Sequence, residues 1–226
     1  RLGNKWWIVG STGTFFTLDD RGTTAEVTFP TTQHLTGIAY GDGRFVVSGP
    51  YFDAGSREDI GALWTSTDGY QWTPLLTTVF DNFNLNFVAY AAGKWVTAST
   101  AGLILSSTNG VTSARQLSGL TTSLRSGAYG ADTWVIVGNS GRILTSPDGT
   151  TWTSRTSGLT ADLTAVAFDR GLFVAVGVSG IILSSPDGVT WTRRASGTAT
   201  TLNTVGSVAG SWVAAAARAS GSRSGT

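Results

Sequence analysis

The chain has no cysteine, no methionine, a single histidine and only five prolines among its 226 residues. Without cysteine there is neither a disulfide framework nor a thiolate metal site, and the redox compartment is not readable. Charged residues make up 13% of the chain and the net charge is +1, so no field of one sign steers it onto nucleic acid or an anionic membrane. No apolar run approaches the roughly 18 residues that span a bilayer, and Arg1 does not open a signal peptide. With no methionine, Arg1 reads as the start of a processed product or of a slice from a longer protein. Long runs of Leu, Ala, Glu and Lys suited to helices are also missing.

What the chain has instead is glycine (30 residues), serine, threonine and 11% aromatics. That composition suits short strands and tight turns, and the predicted class is all-β. The stretch "SGRILTSPDGTTWTSRTSGL" (Ser140–Leu159) returns 39 residues later as "SGIILSSPDGVTWTRRASGT" (Ser179–Thr198). The same frame carries Trp6, Phe45, Trp95, Trp134, Phe173 and Trp212, with spacings of 39, 50, 39, 39 and 39. A repeat of about 39 residues, interrupted by one insertion after Gly49, therefore organises the chain.

Each repeat reads as four strands. In the last complete copy these are Thr164–Phe168, Leu172–Gly177, Ile181–Ser185 and Thr190–Ala195. "DRG", "VSG" and "PDGV" form the turns, where Gly, Asn and Asp tolerate positive φ. A four-stranded sheet apolar on both faces cannot stand alone, and stacking such sheets around an axis buries both faces. The predicted architecture is a single β-propeller domain over 1–226. Its repeats fall at about 1–35, 36–85, 86–124, 125–163 and 164–202, with a partial one at 203–226. At least five blades are expected. Either "LNTVGSVA" (Leu202–Ala209) completes the N-terminal blade and closes a five-bladed ring, or the chain is part of a six- or seven-bladed one.

The turn between the third and fourth strands has a repeated form. Asp68, Asp148 and Asp187 are each followed four residues later by Trp72, Trp152 and Trp191. The aspartate is expected to accept backbone N–H groups of its own turn, and the tryptophan to fold over the hairpin and pack between blades. A motif present in most repeats is read first as a structural clip. "STDGYQW", "SPDGTTW" and "SPDGVTW" resemble the Asp-box or BNR repeats of sialidase-like and photosystem-assembly-factor-like β-propellers, with one residue fewer between Asp and Trp. "SSTNGVTS" is degenerate, with Asn109 and Ser113 in the Asp and Trp positions. "LDDRGTT" keeps Asp20 but has Thr24 for the tryptophan. The resemblance covers nearly the whole chain and implies the propeller fold; its members include hydrolases, assembly factors and binding proteins, so it does not choose a function.

Departures from the repeat are the better guide to function, because insertions fall in loops on one face. The largest is "GPYFDAGSREDIG" (Gly49–Gly61), in place of a four-residue turn. The next is "TTVFDNFNLN" (Thr77–Asn86), a longer connector between blades. Both emerge at the same end and present Tyr51, Phe52, Asp53, Arg57, Glu58, Asp59, Phe80, Asp81, Asn82 and Phe83. Aromatic rings beside acids, amides and an arginine suit a glycan or a protein partner. The alternatives are a compact loop packed on its own aromatics and a metal site of Asp53, Glu58, Asp59 and Asp81. His34, in a connector on that face, reads as solvated. Arg193 and Arg194 read as charges that blunt a sheet edge. Tyr40, Tyr90, Tyr129 and Phe168 recur at one blade position and read as core.

Catalysis is not expected. Sialidase-like hydrolysis implies three arginines converging on a carboxylate, a tyrosine activated by glutamate, and an aspartic acid; most other glycosidases need two facing carboxylic acids. Only two glutamates exist, Glu26 and Glu58. A nucleophilic triad would rest on His34 alone, and phosphate-loop, dinucleotide and zinc spacings are absent. The expectation is a cofactor-free recognition or structural module, on a cell surface or in a virion such as a phage tail or adhesin, that binds a glycan or a protein within a larger assembly. A divergent glycoside hydrolase and an assembly factor docking a protein partner are the alternatives.

Overall fold

A computed structural model describes residues 5–53, 58–75 and 83–216. It is all-β, with six antiparallel sheets in chain order and no α-helix among the described residues. The first sheet holds β1 (Lys5–Val9), β2 (Phe15–Asp19) and β3 (Thr24–Glu26). Four sheets of four strands follow. The second has β4 (Gly37–Gly41), β5 (Arg44–Asp53), β6 (Glu58–Ser66) and β7 (Thr73–Leu75), and the third β8 (Leu85–Ala91), β9 (Lys94–Ser99), β10 (Ile104–Ser107) and β11 (Ala114–Gln116). The fourth has β12 (Leu124–Gly130), β13 (Thr133–Gly138), β14 (Arg142–Ser146) and β15 (Thr153–Thr156), and the fifth β16 (Leu163–Asp169), β17 (Leu172–Gly177), β18 (Ile182–Ser185) and β19 (Thr192–Arg194). The last sheet is a pair, β20 (Thr204–Val208) and β21 (Ser211–Ala215).

These sheets are the blades of a β-propeller. The first strands touch in succession, β4 with β8, β8 with β12, β12 with β16 and β16 with β20, and so form the row nearest the axis. The hairpins joining first to second strands use two consecutive positive-φ residues, such as Arg170 (φ 47°) and Gly171 (φ 76°). That geometry matches the twist of the strands it joins.

The core lies between blades rather than within any one of them, because residues alternate along each strand between the two faces. Val135, Val137 and Ile143 of blade four meet Leu163, Phe173, Ala175 and Leu183 of blade five. Val96, Ala98 and Ile104 of blade three meet Leu124, Trp134 and Ile136 of blade four. At the axial bottom, small residues receive the next blade's aromatic ring. A Cβ on Gly41 would lie 1.9 Å from the Tyr90 ring, and one on Gly130 2.0 Å from the Phe168 ring. Tyr90 and Phe168 stack in turn on Trp95 and Phe173 of their own blades, at centroid distances of 4.7 and 4.6 Å.

Two expectations are corrected. The segment Leu202–Ala209 does not complete the N-terminal blade: β20 pairs with β21 in a sheet of its own, and β1 pairs with β2 in another. Both β1 and β21 carry the second-strand position of the repeat, so one blade has no room for the two. Nor is Gly49–Gly61 a loop grafted onto a short turn. It continues the blade's own hairpin, with β5 and β6 paired from Phe45↔Ser66 through Gly49↔Ala62 and Pro50↔Gly61 to Asp53↔Glu58.

Candidate functional site

The turns between second and third strands and the connectors between blades share one face, and the extended hairpin rises there. Its base is buried at Gly49, Pro50, Gly61 and Ala62. Two connectors grip that base. A Cβ on Gly49 would sit 3.1 Å from the His34 carbonyl, and one on Gly61 only 2.1 Å from the Phe83 carbonyl. Gly61 is thus required by close backbone approach rather than by a turn. Beyond the base, among the described residues, β5 and β6 continue as a two-stranded ribbon, because β4 ends opposite Ser48 and β7 opposite Leu63.

On this ribbon the register sets Tyr51 opposite Ile60, Phe52 opposite Asp59 and Asp53 opposite Glu58. Arg57, Phe80, Asp81 and Asn82 lie outside the described residues. Phe83 is described and half-buried, in the connector that holds Gly61. His34 is exposed in the other connector. No group of three or more His, Cys, Asp or Glu side chains able to hold a metal occurs among the described residues.

The same face carries a ring of polar residues around the axis. The first strands of blades three, four and five each skip one residue of register at their start, at Asn86, Arg125 and Thr164. Such a bulge takes a residue out of the ladder and re-aims its side chain. Asn86 Nδ2 donates to the Leu124 carbonyl of the next blade at 2.7 Å, and the Thr164 hydroxyl donates to the Leu202 carbonyl. Thr36 makes the matching bond to the Leu85 carbonyl at 2.7 Å. Each joins one blade to the next across a buried leucine.

Arg125 departs from that pattern. Its Nε donates to Asn139 Oδ1, and its guanidinium lies 3.5 Å from the Asp162 carboxylate, which also accepts the Ser140 N–H at 2.9 Å. At this junction a charged pair stands where the others have a hydrogen bond to backbone. Sequence reasoning missed Asn86, Arg125, Asn139 and Asp162. Their signal was the bulge position after each repeating leucine, which strand alternation does not reveal.

On the opposite face sit the turns between third and fourth strands. Asp68 Oδ1 accepts the N–H groups of Tyr70 and Gln71 at 2.8 Å each, and the Ser66 hydroxyl at 2.9 Å. Asp148 and Asp187 repeat this with Thr150, Thr151 and Ser146, and with Val189, Thr190 and Ser185. The N–H three residues on, helped by its neighbour and the serine, holds each of these carboxyls below the usual aspartate range. Trp72 and Trp191 return their indole N–H to the carbonyls of Gly69 and Gly188, at 3.0 and 2.9 Å. Trp72 packs among Phe15, Phe29 and Phe45, and Trp152 and Trp191 pack on the cores between blades.

Among the other candidates, Arg193 and Arg194 are exposed on the outer strand β19, and Arg194 Nε donates to the Ser184 hydroxyl at 2.8 Å. Tyr90, Tyr129 and Phe168 pack between blades, whereas Tyr40 is 38% exposed. No helix among the described residues is long and apolar enough to cross a membrane.

No protein-family profile matches the sequence, and no curated protein matches it. Solved structures do. YCF48 bound to D1 peptide is 15% identical, with a TM-score of 0.62 over 85% of this chain and 64% of that one. A nidogen/laminin complex is 13% identical, with a TM-score of 0.69 over 94% of this chain and 85% of its counterpart. The Pan2 WD40 domain of Neurospora crassa is 10% identical, with a TM-score of 0.68 over 91% of this chain and 66% of that one. At these identities the likeness is one of fold, that of a β-propeller, and the chain spans 64% of the YCF48 chain.

Proposed function

We propose that this propeller is a non-enzymatic recognition module that docks a protein partner on the face bearing the extended hairpin. The observation that carries the reading is the continuous pairing of β5 and β6 out to Asp53↔Glu58, well past the ends of β4 and β7. A paired ribbon holds Tyr51, Phe52, Asp53, Glu58 and Asp59 on fixed rungs, so a partner need not order a floppy loop on binding. Phe83, in the connector at the ribbon's base, adds an aromatic, and the Arg125, Asn139 and Asp162 cluster adds polar groups farther round the same face, at the junction of blades four and five. Aromatic rings and arginine are enriched at protein interfaces, and polar groups form their rims. Support also comes from the neighbours, since YCF48 was solved with a peptide and nidogen with laminin.

The test compares the intact chain with a variant whose Gly49–Gly61 segment is replaced by Gly-Asn-Ser-Gly, the turn found at 138–141. Both are applied to a tiled peptide array and a glycan array. Peptide binding by the intact chain that disappears in the folded, trimmed variant is the expected result. Glycan binding that depends on the hairpin would replace the partner by a sugar. Binding by neither chain, or equal binding by both, would remove recognition from this face.

A further inference from the structure

Among the described residues the last blade has two strands, and blade five is left with part of one wall uncovered. The seam between blades four and five shows what covers that wall when a blade is complete. There Val135, Val137 and Ile143 of blade four are fully buried under Phe173 and Ala175 of β17, and under Ile181, just before β18, and Leu183 within it. One repeat further on, Val174, Val176 and Ile182 form the same wall, and Trp212 and Ala214 of β21 lie on it as Phe173 and Ala175 do.

Nothing among the described residues takes the place of Ile181 and Leu183 there. In that place an apolar groove of about 370 Å³ runs between blade five and β21, which is the size of a ligand pocket. Val174 and Val176 line it and stay buried, but Leu172 and Ile182 are partly exposed, where Ile143 is not. Its polar lining matches the closed seam, for Arg194 Nε donates to Ser184 Oγ at 2.8 Å as Arg155 Nε does to Thr145 Oγ1. The wall is built for a cover of the repeat's own kind.

The groove is bordered by a free edge. Among the described residues β21 pairs with β20 alone, whereas its counterpart β17 pairs with β18 as well. Such an edge offers a row of N–H and C=O groups to an added strand. The register of blade five says what that strand carries. Leu183 stands opposite Ala175 and Ile182 opposite Val176, so a leucine belongs opposite Ala214, with an isoleucine two positions before it on the groove face. The chain's next residues do not match: 217–226 hold no apolar side chain larger than alanine, and Ser220 and Ser222 fall one repeat after Ile181 and Leu183. The groove also continues the seam that β20 and β21 already make with blade five. A strand added there extends an existing apolar interface.

We infer that the outer edge of β21 is a docking site for an extended segment of a partner protein. The segment adds in trans the third strand that blade five supplies in cis, with an Ile-x-Leu pair seated in the groove and its backbone paired antiparallel to β21. The site lies at the end of the blade row, apart from the hairpin of blade two, and does not depend on the reading given for that face.

The probe is an acetylated, amidated peptide with the sequence of residues 180–191, Gly-Ile-Ile-Leu-Ser-Ser-Pro-Asp-Gly-Val-Thr-Trp, titrated into the ¹⁵N-labelled full chain. Saturable shifts are expected at Trp212 and Ala214, and amide exchange along β21 should slow about tenfold or more. The same peptide with asparagine at its second and fourth positions should do neither. Ile182→Glu and, separately, Leu172→Glu put a charge on the groove wall at partly exposed positions, and each should abolish binding; either serves if the other does not fold. No shift with the chain as it stands, an equal shift with the asparagine peptide, or a shift unchanged by both wall variants would overturn the assignment. Dimers of the chain alone, seen by sedimentation and lost in Ile182→Glu, would overturn it in favour of a second copy on this edge. The hairpin-trimmed chain should bind the peptide as the intact chain does, so loss of one site and loss of the other are told apart.

Discussion

Blades three and five have the same four strands, the same first-strand bulge and the same serine beneath the turn, yet they close differently. Blade five ties its turn with a carboxylate and covers the seam with an indole. Blade three does it with an amide and has Ser113 where blade five has the indole, over a seam whose Val46, Leu63, Trp95 and Leu105 are nonetheless buried. The comparison separates two jobs that the repeat performs together. The serine and the Asx side chain shape the turn, and both blades keep them. The tryptophan seals the joint to the preceding blade, and only blade five has it.

The largest difference should appear when the seal is removed. Trp191→Ala takes away a ring packed 6.4 Å from Phe173 and the bond to the Gly188 carbonyl. It should cost roughly 2–4 kcal/mol, below the upper end for a fully buried tryptophan because Trp191 is partly exposed. Ser113→Ala in blade three should stay within about 0.5 kcal/mol. Denaturant unfolding of both variants checks the pair. Equal costs would mean that the tryptophan is not the seal.

A smaller effect, and an equal one, is expected from the shared element. Gly188 N donates to Ser185 Oγ at 2.8 Å and Gly110 N to Ser107 Oγ at 2.9 Å, and both glycines are buried. Ser185→Ala or Ser107→Ala strands a buried N–H and should cost about 1–3 kcal/mol in either blade. A clear inequality, measured by the same unfolding curves, would show that the blade three turn is held by something other than its serine.

How far these features were legible follows from which physics writes them into sequence. The period, the strand order and the second strand Leu172–Gly177 were readable because alternation and turn glycines are local signals. Edges moved where side chains intervene. The fourth strand was expected over Thr190–Ala195 but pairs only over Thr192–Arg194, since Thr190 N is held by Asp187 and the Trp191 indole folds back on Gly188. The hairpin was misread as a loop because Gly49, Pro50 and Gly61 are the usual loop punctuation. Gly61 is glycine for another reason, the approach of the Phe83 carbonyl from a distant connector. Arg125 was overlooked because a bulge has no composition. Ser113 was visible as a missing tryptophan, but that Val46, Leu63, Trp95 and Leu105 stay buried beneath it is a fact of two neighbouring blades.

The smallest predicted difference is in acid, and its sign is fixed by the clips. Asp68, Asp148 and Asp187 have folded-state pKa values lowered by turn N–H groups. A lowered value means that the ionised turn stabilises the fold at pH above the unfolded aspartate value, about 3.9, and that this stabilisation is lost as pH falls through the folded values. Asn109 makes the same bonds without a proton to gain, so blade three contributes nothing to that acid limb. Asn109→Asp should therefore steepen the fall of melting temperature below about pH 4, and Asp187→Asn should flatten it. Both changes should be modest, because these turns are exposed and water competes for the same bonds. Thermal melts from pH 7 to pH 2 read the slopes. If Asn109→Asp left the slope unchanged while Asp187→Asn flattened it, the turn of blade three would not hold a carboxylate as its neighbours do, and the two blades would differ in the turn as well as in the seal.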